Sequence, residues 1–337
     1  MAEALYLLPL RRSSVDPGEL ADLAAYLRDV SRSLPVVVAD GSPAEVRARH
    51  AAAWGPGVRT VVVGHAPPGA NGKVVGVRAG LAATTHPLVV VADDDVRYDH
   101  AALDRVLAAL DGADLVVPQN VFVPRPWHAR WDTARTLVNR AFGHDYGGTV
   151  AFRRTALGPA GYDAGVLFEN LELERTVRAR GGRVVHVLDL VVARRPPDVG
   201  RFAEQRVRQA YDSFAQPPRL LTELALAPVL AAAAVAARRA APRPRRLGRA
   251  AAGTVLAGAV LVAEAGRRRG GGAGHFPPTA ALWAPAWVLE RAVCVWLAVA
   301  RRLGGGMPYA GTRLRCAAHT VAELRARAGA PTAGTGC

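Results

Sequence analysis

Three consecutive carboxylates, Asp93-Asp94-Asp95, stand directly behind the apolar run Leu88-Val89-Val90-Val91-Ala92. Like charges this close repel one another, so a buried strand ending in them is costly unless a cation sits among them. Hard oxygen ligands in an Asp-x-Asp spacing suit Mg²⁺ or Mn²⁺, and such an ion commonly shares its coordination with the phosphates of a substrate. The plainer reading is a strand-to-helix turn in which one Asp caps a helix beginning near Asp99. One carboxylate suffices for a cap, and three after a buried strand favour a metal-bridged nucleotide.

The segments that must carry these groups alternate regularly. Short apolar runs recur at 4–8, 35–39, 58–63, 88–92 and 115–117, separated by helix-like segments at 18–33, 43–54, 73–84 and 100–110. Strands that are apolar throughout and separated by helices predict a parallel sheet covered on both faces, with its ligand outside the carboxyl ends of the strands. Asp40 follows Val36-Val37-Val38-Ala39 much as Asp93 follows its own run, so two acidic tips arrive at one edge. Further on, 122–142 reads as an amphipathic helix with Trp127, His128 and Trp131. The run from Gly147-Gly148 to Arg154 reads as a strand whose opening glycines let backbone approach a ligand. A helix opens at Phe168-Glu169-Asn170 and stops at Gly181-Gly182, with Glu169 and Glu172 on one face.

Composition sets the class. A chain of 337 residues can hold one large domain or two ordinary ones. The formal charge of +15 comes almost wholly from arginine, since Lys73 is the only lysine. That skew, with the Ala and Gly load, reads as coding bias, and no nucleic-acid module accompanies it, so nucleic acid is not an expected partner. Cys294, Cys316 and Cys337 suggest neither a disulfide framework nor a zinc site. The apolar 4–10 stretch is too short for a secretory signal, and Arg11-Arg12 lies on the wrong side of it, which predicts a cytoplasmic first domain.

Beyond Arg219 the chain turns to Ala, Val, Leu and Arg, with apolar stretches at 220–237, 250–265 and 280–300. At the helical rise the first two span about 24–27 Å, somewhat less than a bilayer core of about 30 Å. Glu264 sits near one end, Glu290-Arg291 in the middle of the third, and arginines from Arg238 to Arg249 would face outward if the first stretch crossed from the cytoplasm. Interfacial or re-entrant helices, with Trp283, Trp287 and Trp296 at the membrane surface, resolve this better than three clean spans; an alanine-rich soluble subdomain is the other reading. The expected organisation is therefore a nucleotide-binding domain at 1–215, membrane-associated helices at 216–303 and a basic tail at 304–337.

Pro35-Val36-Val37-Val38-Ala39-Asp40-Gly41-Ser42, then Asn71-Gly72-Lys73, Asp93-Asp94-Asp95, Gly147-Gly148, Glu169-Asn170 and Gln205-Arg206-Val207-Arg208 together resemble the successive motifs of family 2 glycosyltransferases. Their order over about residues 1–215, with an apolar C-terminal part, is most similar to the membrane-bound, ceramide glucosyltransferase-like members. The resemblance implies a GT-A type α/β domain with a mostly parallel central sheet flanked by helices, a nucleotide-diphosphate sugar donor and Mg²⁺ or Mn²⁺. It further implies a lipid or lipid-linked acceptor at the cytoplasmic face of the cell membrane. Carried over by residue, Asp40 contacts base or ribose and Lys73 holds the nucleotide. Asp93 and Asp95 bind the metal, Asp94 faces the sugar or ribose, Gly148 approaches the donor, and Gln205 and Arg208 reach the diphosphate.

Two positions depart from the family pattern. The usual catalytic Asp is Asn170, which cannot take a proton, so Glu169 is the candidate base and Glu172 the second choice; an inactive nucleotide-sugar-binding scaffold is the alternative. Gln209 stands where a tryptophan is usual, which favours transfer of one sugar over processive polymerisation. A phosphate-loop NTPase is excluded because neither Ser nor Thr follows Lys73 in Gly69-Ala70-Asn71-Gly72-Lys73.

Overall fold

A computed structural model of the chain describes residues 3–239, 241–309 and 311–329. In chain order the elements are β1 (Ala4–Leu10), α1 (Pro17–Val30), β2 (Val36–Asp40), α2 (Ala44–Trp54), β3 (Val58–Val62), α3 (Gly72–Ala82), β4 (Leu88–Ala92), β5 (Val96–Arg97), α4 (His100–Ala108) and β6 (Leu115–Phe122). There follow α5 (Trp127–Phe142), β7 (Thr149–Arg153), α6 (Glu169–Ala179), β8 (Val184–Arg194), α7 (Val199–Tyr211), α8 (Pro217–Ala237), α9 (Pro242–Arg268), α10 (Ala284–Leu303), β9 (Met307–Tyr309), β10 (Thr312–Leu314) and α11 (Val321–Gly329).

The first eight strands form one sheet in the order β3-β2-β1-β4-β7-β6-β8-β5. The half from β3 to β4 is parallel throughout, as its apolar runs predict. β6, grouped with those runs in the sequence, instead lies beyond β7, which pairs antiparallel with both β4 and β6. Alternate residues of the parallel strands feed two cores: Tyr6, Val38 and Val90 pack on one face against Leu27 of α1 and Val106 of α4, while Leu7, Val37 and Val91 pack on the other against Val77 of α3 and Val177 of α6. Helix starts follow side-chain caps, with Asp16, Asn71, Asp99 and Asp198 accepting from backbone N–H groups of α1, α3, α4 and α7. Because Asp99 caps α4, the acidic triplet has no capping duty.

The chain divides into two compact units, and not where composition placed the boundaries. The described residues of 1–120, 146–194 and 308–337 form the first, and 121–145 with 195–307 form the second. α5 and α7 belong to the helical unit because Trp127 and Trp131 pack edge-on against Phe202, and Trp131 also meets Trp283. The expected basic tail is in part folded structure of the first unit: β9 and β10 pair, and α11 packs on α6. Residues 310 and 330–337 of that segment, Cys337 included, lie outside the described residues.

Three helical segments, Pro217–Ala237, Pro242–Gly274 and Pro278–Leu303, are long and apolar enough to cross a membrane. α9, at 27 residues, starts eight positions before the apolar stretch read from the sequence, so length does not argue against spanning. It crosses α5 at Gly266, where an added Cβ would lie 1.8 Å from the Leu137 carbonyl oxygen.

The returning segment is fastened by Glu172. Its fully buried carboxylate accepts from the His319 backbone N–H at 2.8 Å and meets the His319 ring Nδ1, also at 2.8 Å. Removing the imidazole in His319→Ala leaves that carboxylate buried with one partner fewer, a change that costs about 3 kcal/mol when a buried pair is broken. A lower melting temperature and faster proteolysis between 307 and 329 are the expected results, read by thermal denaturation and by mapping of the cleavage products.

Candidate active site

The carboxyl ends of β1, β2 and β4, the N-termini of α3 and α6, and the start of β7 supply the site residues. Lys73 lies in the first turn of α3, whose start is fixed by the buried Asn71. Asn71 Oδ1 accepts from Lys73 N and from Tyr309 Oη, both at 3.0 Å, and Asn71 Nδ2 donates to the Val166 carbonyl at 3.1 Å. The same loop then leads into α6, with Leu167 N and Phe168 N donating to the carbonyls of Cys316 and Ala317. α3 and α6 thereby present Lys73 and Glu169 to each other.

The Lys73 ammonium is 2.7 Å from Asp93 Oδ1 and 3.0 Å from Glu169 Oε1. Burial works to lower its pKa, but the Asp93 and Glu169 carboxylates outweigh burial and hold it above the ordinary lysine value. Asp93 Oδ2 faces Arg194 Nη2 at 3.4 Å, and Arg194 Nε donates to Asp95 Oδ2 at 2.9 Å. The cation that the triplet demands is thus partly supplied from within the chain. Arg194 arrives there because β5 pairs antiparallel with β8, setting Val96 opposite Arg194. Asp94 Oδ2 accepts from Arg12 Nη2 at 2.8 Å and Nε at 3.1 Å.

One oxygen stays unmatched. Asp95 Oδ1 is buried and has no hydrogen-bond partner among the described residues. Burial pushes the Asp95 carboxyl above the usual aspartate range, and the charges of Asp93 and Asp94 add to this against the pull of Arg194. An orphaned buried carboxylate oxygen beside a second carboxylate, in an all-oxygen donor set, fits a hard divalent cation. Asp163, Glu172 and His319 also come together, but Arg327 pairs with Asp163 at 2.8 Å and His319 with Glu172, so these carboxylates already have their partners.

Gly148 belongs to the same centre. Its carbonyl accepts from Asp93 N at 2.8 Å and its N–H donates to Asn120 Oδ1 at 2.7 Å. A Cβ on Gly148 would lie 2.8 Å from Asp93 Oδ2, and one on Gly147 would lie 2.4 Å from Asn120 Oδ1.

Other expected residues are differently employed. Asp40 is fully buried; its Oδ1 accepts from Ser42 N at 2.8 Å and its Oδ2 meets His50 Nδ1 at 2.7 Å. Asp40 therefore shapes the 40–42 loop, and Ser42 Oγ in turn accepts from Arg12 N at 2.9 Å. Glu172, with both oxygens on His319, is structural and not a free base. Asn170 donates to the Gly147 carbonyl at 2.8 Å. Gln205 and Arg208 lie half-buried on α7 in the second unit. Arg12, Asn120 and Arg194 were not legible as site residues, because nothing distinguishes two arginines in an arginine-rich chain and strand pairing alone brings them in.

Residues 23–212, more than half of the chain, match the model of glycosyltransferase like family 2. The chain belongs to this family. No curated protein matches it. Among solved structures it is similar to the mannosyltransferase PcManGT from Pyrobaculum calidifontis, solved with GDP-Man and Mn²⁺, at 16% identity over 87% of each chain with a TM-score of 0.50. Similarity extends to mannosyl-3-phosphoglycerate synthase from Rubrobacter xylanophilus, at 16% identity over 64% of this chain and 75% of that one, TM-score 0.41. Glucosyl-3-phosphoglycerate synthase from Mycobacterium tuberculosis, solved with Mn²⁺, UDP and glucosyl-3-phosphoglycerate, matches at 17% identity over 61% and 77%, TM-score 0.36. The fold implied by the sequence resemblance, a GT-A type domain followed by C-terminal helices, is the fold observed.

Since Gly148 has no room for a side chain, Gly148→Ala displaces Asp93 from Lys73 and Arg194. Nucleotide affinity measured by calorimetry should fall at least about tenfold, the equivalent of roughly one charge-assisted hydrogen bond, while circular dichroism stays that of the wild type.

Proposed function

We propose that this glycosyltransferase moves a hexosyl group from a nucleoside-diphosphate sugar to a lipid or lipid-linked acceptor at the cytoplasmic face of the cell membrane, with inversion and with Mg²⁺ or Mn²⁺ at Asp93 and Asp95. The observation that carries the reading is the Lys73 ammonium shared between Asp93, at the acidic strand tip, and Glu169, at the α6 N-terminus. That contact joins a place for a diphosphate to a place for a base.

When bound, the divalent ion supplies charge neutralisation for the departing diphosphate. Lys73 adds a fixed positive charge on the same side, and Gly148 lets the donor approach the backbone. Asp94, held by Arg12, faces the sugar or ribose, while Asp40 acts through the 40–42 loop. A diphosphate competes with Glu169 for the Lys73 ammonium, and the released Glu169 carboxylate then accepts the proton of the acceptor hydroxyl. Exposed apolar side chains on the long helices, such as Leu221, Leu261 and Trp296, support a membrane setting. The Pyrobaculum mannosyltransferase, which matches over most of the chain and was solved with GDP-Man and Mn²⁺, supports a nucleotide-linked hexose with a divalent metal.

A second reading, an inactive nucleotide-sugar-binding scaffold, is favoured by Asn170, whose amide serves to hold the Gly147 carbonyl. The two readings separate on turnover. With a panel of GDP- and UDP-hexoses and total membrane lipid, the transferase labels a lipid and the scaffold labels none.

Glu169→Gln should lower kcat by about 10²- to 10⁴-fold, the usual share of a general base, with donor affinity retained; unchanged turnover would remove Glu169 from the reaction. Chelation by EDTA should abolish transfer, and Mn²⁺ should restore it and raise the melting temperature of the wild type. Asp95→Asn should show neither the restored activity nor the thermal shift.

A further inference from the structure

A cavity of about 560 Å³ opens within the helical unit, walled by Phe122, Pro124, Arg125, Arg130, Pro277 and Trp283 among others. Its volume is that of a small-ligand site. Its lining combines an apolar part, with Trp283, the last residue before α10, and the side chains of Arg125 and Arg130.

Among the described residues these two arginines lack the carboxylate partners that several other arginines of the unit have. In the same unit Arg135 pairs with Asp132 and Asp145, Arg206 with Asp132, Arg219 with Glu223, and Arg267 and Arg268 with Glu264. Arg125 and Arg130 have no carboxylate partner among the described residues. Arg125 Nη2 donates to the His275 carbonyl at 2.7 Å, and Arg130 Nε to the Arg125 carbonyl at 3.0 Å. Each guanidinium is therefore oriented by one backbone bond while its other N–H groups remain free. Two oriented, uncompensated arginines converging on one cavity match the oxygens of a phosphate. The apolar part matches a hydrocarbon attached to it, and it continues into Pro278–Leu303, a segment of bilayer length.

We infer that this cavity binds the phosphate headgroup of a membrane lipid, with Arg125 and Arg130 on the phosphate and Trp283 against the first part of the chain. The inference concerns binding and holds whether or not that lipid is the acceptor.

The test is native mass spectrometry of the full-length protein in detergent, titrated with phosphatidic acid, phosphatidylcholine or glycerol 3-phosphate. The wild type should take up one phosphatidic acid per chain in preference to phosphatidylcholine. The Arg125→Ala/Arg130→Ala double variant should bind phosphatidic acid about 30-fold more weakly, from about 1 kcal/mol for each arginine, with an unchanged melting temperature. The Arg245→Ala/Arg246→Ala variant, altered in the general basic surface at the start of α9, should bind as the wild type does. Equal binding of phosphatidylcholine, undiminished binding by the cavity variant, or glycerol 3-phosphate binding as tightly as phosphatidic acid would each overturn the assignment. The last would mark a soluble-phosphate site instead.

Discussion

One buried ammonium organises the first unit. Lys73 sits where the carboxyl edge of the parallel sheet meets the N-terminus of α6, and its contacts with Asp93 and Glu169 draw two otherwise repelling acidic elements together. Around it, Arg194 and Arg12 restrain the other carboxylates of the triplet. Asp95 Oδ1 is left without a hydrogen-bond partner among the described residues. The site is thus assembled to be almost neutralised from within, with one oxygen left for something external. A compact ammonium on a flexible stem suits this task better than a planar guanidinium, which is a physical reason for one lysine in a chain that otherwise uses arginine.

What the sequence made legible follows from what is local. The β1 to β4 runs, their helices and the acidic tip at Asp93 depend on periodicity and on neighbours a few residues away, and they appear where the pattern set them. The insertion of β7 between β4 and β6 was not legible, because pairing between distant strands leaves no periodic mark. The same holds for Arg194, carried to the triplet by β8, and for His319, which reaches Glu172 across 147 positions. Asp40 illustrates a different limit: its place at a strand end was readable, yet whether its oxygens face outward or satisfy Ser42 and His50 depends on the loop that follows.

The helical unit is held by arrangements unlike those of the sheet. Its apolar helices approach closely where side chains are absent, as at Gly266, and Arg206 of α7 pairs with Asp132 of α5. Composition placed the membrane-associated helices at 216–303, apart from a basic tail at 304–337. The second compact unit also takes in α5 and α7, where Trp127 and Trp131 of α5 pack against Phe202 of α7.

The return of β9, β10 and α11 to the first unit has a topological consequence. β8 leaves the sheet at Arg194, and the chain rejoins the same folded unit from Pro308 onward. A compact folded unit set beside a bilayer lies on one side of it, so any crossings made by the intervening chain must be even in number, and the three candidate segments cannot all be full crossings. Either two traverse while the third lies along the surface or re-enters, or none does. Parity thus constrains the topology independently of hydropathy and arginine placement, through a closing segment that His319, Tyr309 and Arg327 tie back to the first unit.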